Sequence, residues 1–364
     1  MSDDRKTQDE RTRYGGQAVV EGVMMRSPNY FAIACRRLSS NTIETHLEPV
    51  PKGITALAWL NKPFLRGTFA LIDTMALGIR SLTYAANIQI EDESQITKPE
   101  AAAAGAVDLA MGEGAPVPAP KAAKGIGKSA PSQSVTAIAI GATTIIALLI
   151  GFLLFWTFPG LVTDWLRDKL GYSHAPQFVS SLVEGLIRLV IFFAYLLSIS
   201  RMANVQRVFE YHGAEHKAIN TLEAGLPLTV ENTRGQTRIH PRCGTNFIFI
   251  VLTTSIIVFS IIPRHTFQDG IGPMLSSVGY RVLLMPVVAG IAYELLKFAG
   301  SHRDKKWALA LVAPGLWTQY LTTREPDDSQ IEVALASLQC VWDKEHQVNP
   351  PSAAESDSAA AAVA

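Results

Sequence analysis

The sequence has few charged residues, no excess of either sign of charge and no apolar signal segment at its start. Charged residues make up 18% of the 364 residues, and 32 basic residues balance 32 acidic ones. No basic patch is interleaved with aromatic residues, so nothing supports nucleic acid as a partner. Because the first residues are polar and charged, we expect the first apolar segment itself to direct membrane insertion.

Apolar residues are concentrated in long runs. Hydrophobic residues form 48% of the chain, and a helix needs about 20 apolar residues to cross a bilayer. Four segments are predicted to be transmembrane helices: Val135–Phe158, Phe178–Ser200, Asn246–Ile262 and Gly279–Ala299. The third reaches spanning length only when Gly244 and Thr245 are included. The lipid bilayer is therefore the expected environment of the chain.

The distribution of basic residues predicts the orientation of these helices. Fifteen Lys and Arg precede the first run, six lie in 201–243 and six lie from 297 onward, whereas 159–177 contains two and 263–278 contains one. Because Lys and Arg are enriched on the cytoplasmic side, both termini and 201–243 should face the cytoplasm, in a multi-pass protein of the cell inner (cytoplasmic) membrane. All three cysteines then lie in or beside cytoplasmic segments, which argues against disulfides and leaves Cys243 available as a metal thiolate.

These features predict a predominantly α fold, a four-helix transmembrane bundle with a small N-terminal α+β region in the cytoplasm. The alternating stretches 30–37 and 42–48 are typical of strands, and Ser329 and Glu332 have the spacing of a capping box that begins a last helix. The stretch 91–134 is rich in Ala, Pro, Gly, Lys and Ser and has too little apolar area to order itself. The predicted division is a disordered segment 1–13, the α+β region 14–90, a flexible linker 91–134, the bundle 135–325 with its cytoplasmic segment 201–243, a C-terminal helix 326–346 and a disordered tail 347–364.

Residues 64–90 have the apolar spacing of a helix. The repeated apolar positions are Phe69, Ile72, Met75, Ile79 and Leu82. Because polar residues are few, this helix could lie on the membrane surface, pack on the bundle or be a buried helix of a soluble subdomain. The sequence leaves these alternatives open.

The motif His-Gly-Ala-Glu-His at 212–216 is the clearest indication of chemistry. On a helix, His212 and His216 lie one turn apart on one face, and Glu215 shares that face. Two imidazoles at this spacing can hold a metal ion, and the carboxylate can act as a general base, which makes Glu215 the candidate catalytic residue. The residue order is that of inverted zinc peptidases, but a polar helix end with solvated histidines has the same pattern.

A second pair of candidate ligands, His240 and Cys243, follows where the chain returns to the membrane. Together with His212 and His216, this pair supplies four nitrogen and sulfur donors at one membrane face, a set that suits Zn²⁺ best among common metals. Four protein ligands would close a structural site, whereas three would leave a position open for catalysis. The sequence does not decide between these two sites.

Three carboxylates are candidates for a further ligand or for orienting a ligand histidine: Glu210, Glu294 and Glu21. Glu294 lies in the fourth apolar run, where an ionisable residue is costly unless it is paired or functional. An ion pair with Lys297 or another neighbour is therefore the alternative. Glu21 belongs to the run Gly15–Arg26, which also fits a strand and a turn.

Taken together, these stretches resemble a bacterial membrane-protein family catalogued as domain of unknown function 1385, whose members are described as predicted metal-dependent enzymes. The matching stretches are Tyr14–Arg26, Glu210–Lys217, His240–Phe247, Tyr293–Lys297, Ala313–Gly315 and Thr322–Pro326. They cover nearly the whole chain apart from the linker and the tails. The resemblance implies a membrane location and a metal site at His212, His216, His240 and Cys243, and it implies no substrate.

The expected function is that of a metal-dependent hydrolase with a cytoplasmic-face zinc site, acting on a membrane-associated peptide, membrane protein or lipid. The main alternative is a non-enzymatic membrane scaffold or assembly factor, in which zinc ties 201–243 to the bundle. A transporter would need paired charges near the membrane midplane, for which Glu184 and Arg188 are the one candidate pair. The sequence predicts no oligomeric state.

Overall fold

The computed structural model describes residues 14–51, 62, 64–107, 145–147, 149–171, 176–261, 270–301 and 305–348. The chain divides into two units, one formed by Met1–Ser94 with Ala194–Ala364 and the other by Gln95–Phe193. The predicted disorder of 1–13 and of the tail beyond residue 348 falls outside the described residues, as does the linker from 108 to 134.

A four-stranded antiparallel sheet forms the N-terminal part of the chain. Its strands, paired in chain order, are β1 (Gly15–Val19), β2 (Gly22–Arg26), β3 (Tyr30–Arg36) and β4 (Ile43–Pro49). The last two confirm the strands predicted from alternation. The first two form a hairpin whose tight turn places Glu21 in the left-handed region, with φ at 50°.

Helices make up most of the other described residues. They are α1 (Leu65–Val107), α2 (Phe158–Leu170), α3 (Gln177–Ile199), α4 (Ala203–Glu223), α5 (Val230–Arg234), α6 (Gly244–Phe259), α7 (Ile271–Ser301), α8 (Lys306–Thr322) and α9 (Asp328–Val348). The predominantly α fold with a small N-terminal sheet is therefore as predicted. The apolar helices α6, α7 and α8 pack on one another through a cluster that includes Ile250, Ala292 and Ala308.

Both faces of the sheet are covered by helices, and β3 shows how its sequence permits this. Phe31, Ile33 and Cys35 point to one face, where they pack on α1. Ala32 and Ala34 point to the other face, where α4 and α9 pack. Because side chains alternate along a strand, one strand can present large residues to one helix and small residues to the helices opposite. Helix α4, which contains the His-Gly-Ala-Glu-His motif, is thereby held against the sheet.

Helix α1 extends beyond residue 90, where the sequence predicted the flexible linker to begin. The helix reaches Val107, so the first part of the segment 91–134 is helical. The physical reason is that ten of the 17 residues in 91–107 are Ala, Glu, Gln or Lys, all of which have high helix propensity. Asp92 also anchors this part of α1 to the turn between β3 and β4, since its carboxylate accepts the backbone N–H of Ser39 at 2.9 Å.

Three helical stretches among the described residues are long and apolar enough to cross a membrane: Ile145–Leu170, Gln177–Ile199 and Leu275–Ala299. They correspond to the first, second and fourth predicted runs. The third run forms α6, whose 16 residues extend about 24 Å, short of a hydrocarbon core of roughly 30 Å. The length and composition of the helices thus support three of the four predicted spans and leave α6 too short.

The first of these stretches ends later than predicted. Its helix continues through Pro159 to Leu170, beyond the end of the predicted run at Phe158. A π-helical turn at Leu153–Thr157 precedes α2, and Pro159 falls in the first turn of α2, where a missing N–H is tolerated.

The predicted pairing of Glu184 with Arg188 is confirmed in α3. An Nη atom of Arg188 donates to the Glu184 carboxylate at 2.8 Å, and its Nε donates to the carbonyl oxygen of Phe155 at 3.0 Å. Both side chains are buried, so each charge has its partner inside the same unit. This pairing favours a structural role for the two residues.

Helix α9 begins at a different cap from the predicted one. The Asp327 carboxylate accepts the N–H of Gln330 at 2.9 Å, and the Gln330 side chain accepts the N–H of Asp327 at 3.0 Å. This reciprocal pair is a capping box two residues earlier than the predicted one at Ser329 and Glu332. Glu332 is otherwise engaged because it accepts a hydrogen bond from Arg36 at 2.8 Å.

Candidate metal centre

Two histidines and a cysteine from α4 and the start of α6 form one cluster. His212 and His216 lie on adjacent turns of α4 with ring centroids 4.4 Å apart. Cys243 is the N-cap of α6, and one donor atom from each of the three residues lies within 4.8 Å of the others. His212 Nε2 is 3.2 Å from Cys243 Sγ. The i, i+4 spacing on a helix and the return of the chain at Cys243 thus bring three of the predicted ligands together.

Backbone carbonyl groups fix the tautomer of both imidazoles. His212 Nδ1 lies 2.8 Å from the carbonyl oxygen of Thr322, and His216 Nδ1 lies 2.6 Å from that of Arg238. Because a carbonyl oxygen only accepts, each Nδ1 must carry the proton and each Nε2 keeps a lone pair. Ligand histidines in metal sites are oriented in this way.

His216 Nε2 gives the most direct indication of a ligand. It is buried and has no hydrogen-bond partner among the described residues. Burial also lowers the pKa of His216 below its ordinary value, which favours the neutral imidazole that a metal requires. A buried nitrogen without a partner is costly, and a metal ion would satisfy it.

The Cys243 side chain is positioned by the first turn of α6. Its Sγ accepts the N–H of Thr245 at 3.5 Å and lies 3.1 Å from the Thr245 hydroxyl. Two nitrogens and one sulfur are a donor set that suits zinc. The residues present therefore fit a zinc ion held by three protein ligands.

Glu215 lies beside this cluster and is not one of its three members. Its Oε2 is 3.6 Å from His216 Nε2 and 4.0 Å from His212 Nε2. Burial raises the pKa of Glu215 above its ordinary value, although His212 and His240 oppose this rise, as does a hydrogen bond from the backbone N–H of Gly16. A buried carboxylate within 4 Å of the Nε2 atoms of both histidines is suitably placed for a general base.

Strand β1 approaches Glu215 through Gly16. A Cβ atom at Gly16 would lie 2.7 Å from Glu215 Cγ, closer than side-chain atoms normally come. At Gly15, by contrast, a Cβ would meet nothing within 4 Å. The N-terminal glycine pair therefore has two different roles, and Gly16 is the one that leaves room for the carboxylate.

His240, the fourth predicted ligand, lies next to the cluster with its ring turned to another partner. Its Nε2 is 3.3 Å from Glu223 Oε1, and its ring centroid is 5.7 Å from that of His216. The Gln319 side chain binds both backbone groups of His240, at 2.8 and 2.7 Å. The backbone of His240 is thus held by Gln319, its ring nitrogen faces Glu223, and the structure does not bring the ring into the group of three.

The predicted accessory carboxylate Glu294 lies in an ion pair away from the cluster. Its two oxygens accept hydrogen bonds from Arg66 at 2.7 and 2.6 Å. An ion pair was one of the two alternatives for Glu294, and the partner is Arg66 at the start of α1, a residue distant in sequence.

Glu21 and Glu210 are also engaged elsewhere. Glu21 binds Arg207 at 2.7 Å and accepts a hydrogen bond from the Tyr211 hydroxyl at 3.2 Å, which fastens the β1–β2 turn to α4. Glu210 accepts a hydrogen bond from Gln330 at 2.8 Å and so connects α4 to α9. Both carboxylates hold α4 in place.

Sequence reasoning missed the segment 322–325, which closes one side of the cluster. Its Thr322 carbonyl orients His212, and a Cβ atom at Gly213 would collide with the carbonyl oxygen of Arg324. Gly213 is thus needed for the close contact between α4 and this segment. Lys217 reaches the same segment through Glu325. The available signal was the Thr322–Pro326 stretch among the family-like motifs.

Comparison with known proteins identifies the family. Residues 62–344 match the family described as "Protein of unknown function (DUF1385)". The chain belongs to this family. It is also 31% identical over 325 residues to "Uncharacterized protein YqhQ" of Bacillus subtilis (strain 168), a match that covers 89% of this chain and 91% of that protein. No solved structure matches the chain.

Membership in DUF1385 confirms the family resemblance seen in the sequence. The family match includes His212, Glu215, His216 and Cys243, whereas Gly16 lies before its first residue. Neither the family description nor that of the relative assigns an activity. The function must therefore be argued from the cluster itself.

Proposed function

We propose that this DUF1385 protein is a zinc-dependent hydrolase of the cell inner membrane. The observation that carries the proposal is the geometry of the cluster, in which His212, His216 and Cys243 converge with the Glu215 carboxylate beside them. Three protein ligands leave one position of a tetrahedral zinc ion for a substrate or water, which is the arrangement of catalytic zinc sites.

Zinc, when bound, would supply a Lewis acid that polarises the scissile carbonyl or phosphoryl group. Glu215 would take a proton from the attacking water and return it to the leaving group. The carbonyl groups of Thr322 and Arg238 keep both imidazoles in the ligand tautomer. The proposed ligand set omits His240, the fourth predicted ligand, because its ring nitrogen faces Glu223 and it is not in the group of three.

The membrane location and orientation are part of this proposal. Three helices of spanning length and apolar composition support it, and the bias of Lys and Arg favours a cytoplasmic position for both termini and for 201–243. The three residues of the cluster lie on α4 and at the N-cap of α6, all within 201–243. A peptide or lipid at the membrane is therefore the substrate class.

A structural zinc site in a membrane scaffold or assembly factor is the second candidate. The observation that favours it is burial, since the His216 side chain is only 1% exposed and that of Glu215 only 7%. In that case zinc would tie α4 to the start of α6, and its loss would uncouple the segment 201–243 from the bundle.

The test compares Glu215→Gln with His216→Ala in complementation of a deletion strain, with zinc content and membrane abundance measured in parallel. A hydrolase predicts that Glu215→Gln keeps its zinc while function falls by about a hundred- to ten-thousand-fold. Glu210→Gln is the matched control, because Glu210 lies on the same helix and pairs with Gln330. His216→Ala should lose zinc. Full activity of the Glu215→Gln protein would contradict the hydrolase and leave the scaffold as the remaining candidate. Zinc retained by the His216→Ala protein would contradict the proposed metal centre.

A further inference from the structure

Helix α1 carries an exposed row of apolar side chains, which we call the α1 stripe. It consists of Ile72, Met75, Ile79 and Leu82, which are 41–62% exposed. Their spacing of three, four and three residues puts them on one side of the helix. Four large aliphatic side chains in one row are more than the scattered exposed residues of an ordinary surface.

The sheet does not account for the α1 stripe. Helix α1 buries a different set of residues, Leu77, Ala85 and Ile88, against the sheet. The helix therefore has two apolar sides, and the sheet covers one of them. Its attachment to the sheet also prevents α1 from crossing a bilayer as an isolated span.

The start of α1 connects the stripe to α7. The Thr68 hydroxyl donates to the carbonyl oxygen of Pro286 at 2.7 Å, and Gly67 packs directly on Tyr293. Both partners lie within Leu275–Ala299, one of the helices long and apolar enough to span a membrane. Ile72 follows Thr68 by about one helical turn, roughly 6 Å along the axis. The stripe thus begins about one helical turn beyond the contact of α1 with a candidate spanning helix.

We propose that the α1 stripe is buried in the lipid surface, with α1 lying in the membrane plane as an amphipathic helix. This inference rests on the membrane location proposed above and is independent of the zinc centre. The flank of the stripe is polar, with Arg80, Thr83 and Asn87 beside the apolar row, as in helices that lie at the headgroup level. A second copy of α1 is a poorer occupant, because the heptad-like spacing lasts only about two heptads and a coiled coil needs three or four.

The experiment measures lipid contact at single positions of the full chain. Ile79→Cys on the stripe and Asn87→Cys on the polar flank are each made together with Cys340→Ser and labelled with the fluorophore NBD. The labelled proteins are reconstituted in phosphatidylcholine–phosphatidylglycerol vesicles with and without nitroxide-labelled phosphatidylcholine. The parent with no introduced cysteine gives the background. We expect quenching at position 79 to exceed that at 87 by about threefold or more, because an interfacial helix buries its apolar face by roughly 5–10 Å.

Two results would overturn the proposal. Equal quenching at 79 and 87 would show that the stripe does not face lipid. Efficient cross-linking of two Ile79→Cys chains to each other by a short bis-maleimide, without lipid quenching, would identify a second copy as the occupant. Zinc content is measured on the same vesicles, so that failure of the metal centre is seen separately from failure of the lipid contact.

Discussion

Gly16→Ala tests whether strand β1 makes room for the Glu215 carboxylate. The new Cβ would lie 2.7 Å from Glu215 Cγ and 2.8 Å from both Met24 O and Met25 Sδ. Forcing one methyl group into such a packed site typically costs about 1–3 kcal/mol of the free energy of unfolding. Gly15→Ala is the matched control one residue away, and because its Cβ meets nothing within 4 Å we expect a change within about 0.5 kcal/mol.

A double-mutant cycle separates the Glu215 contact from the contacts within the sheet. The free energy of unfolding is measured by denaturant titration in detergent micelles for Gly16→Ala, for Glu215→Ala and for the double variant. Removing the Glu215 side chain relieves one of the three collisions, so we expect a coupling free energy of about 1 kcal/mol. Gly16→Ala should also reduce function while zinc is retained. Additivity within about 0.5 kcal/mol would refute the reasoning, since the cost would then lie in the sheet alone.

Two further predictions concern the cluster and its support. Bound zinc should protect Cys243 from alkylation and a chelator should expose it, whereas Cys35, which is fully buried and whose pKa is raised by burial to about 12, should stay unmodified in both states. Peptide mass spectrometry measures the alkylated fraction of both cysteines. Alkylation of Cys243 at equal rates with and without the chelator would contradict its assignment as a metal ligand. Gly213→Ala should lower the free energy of unfolding by about 1–3 kcal/mol or more, because its Cβ collides with the carbonyl oxygen of Arg324. Gly235→Ala, whose Cβ has only an ordinary contact at 3.7 Å, should be nearly neutral in the same measurement.

The sequence was informative where a pattern determines geometry locally. Helical spacing put His212 and His216 on one face, and the return of the chain at Cys243 brought the thiol to them. Alternation located β3 and β4 to within about one residue at each end. In each case the relevant contacts depend on neighbours in sequence or on the simplest path of the chain.

The sequence was less informative where the position of a residue depends on a side chain distant in sequence. The His240 backbone is bound by the Gln319 side chain from another helix, and the His240 ring nitrogen faces Glu223. From spacing alone, His240 was predicted to be a metal ligand in the same way as His212 and His216. In the same way, Glu294 pairs with Arg66, 228 residues away, although Lys297 was the near neighbour. Long-range pairing of this kind leaves no periodic signal in one sequence.

The carbonyl group that orients His212 has a consequence for how the protein is made. It belongs to Thr322, which is 110 residues further along the chain. During synthesis, the ribosome therefore adds His212, His216 and Cys243 well before it adds Thr322, whose carbonyl group orients His212. During that interval strand β1, with Gly16, is already available, but the cluster still lacks one wall. For the proposed zinc site, the complete arrangement of the cluster therefore exists only after translation has passed residue 322, when the chain is nearly complete.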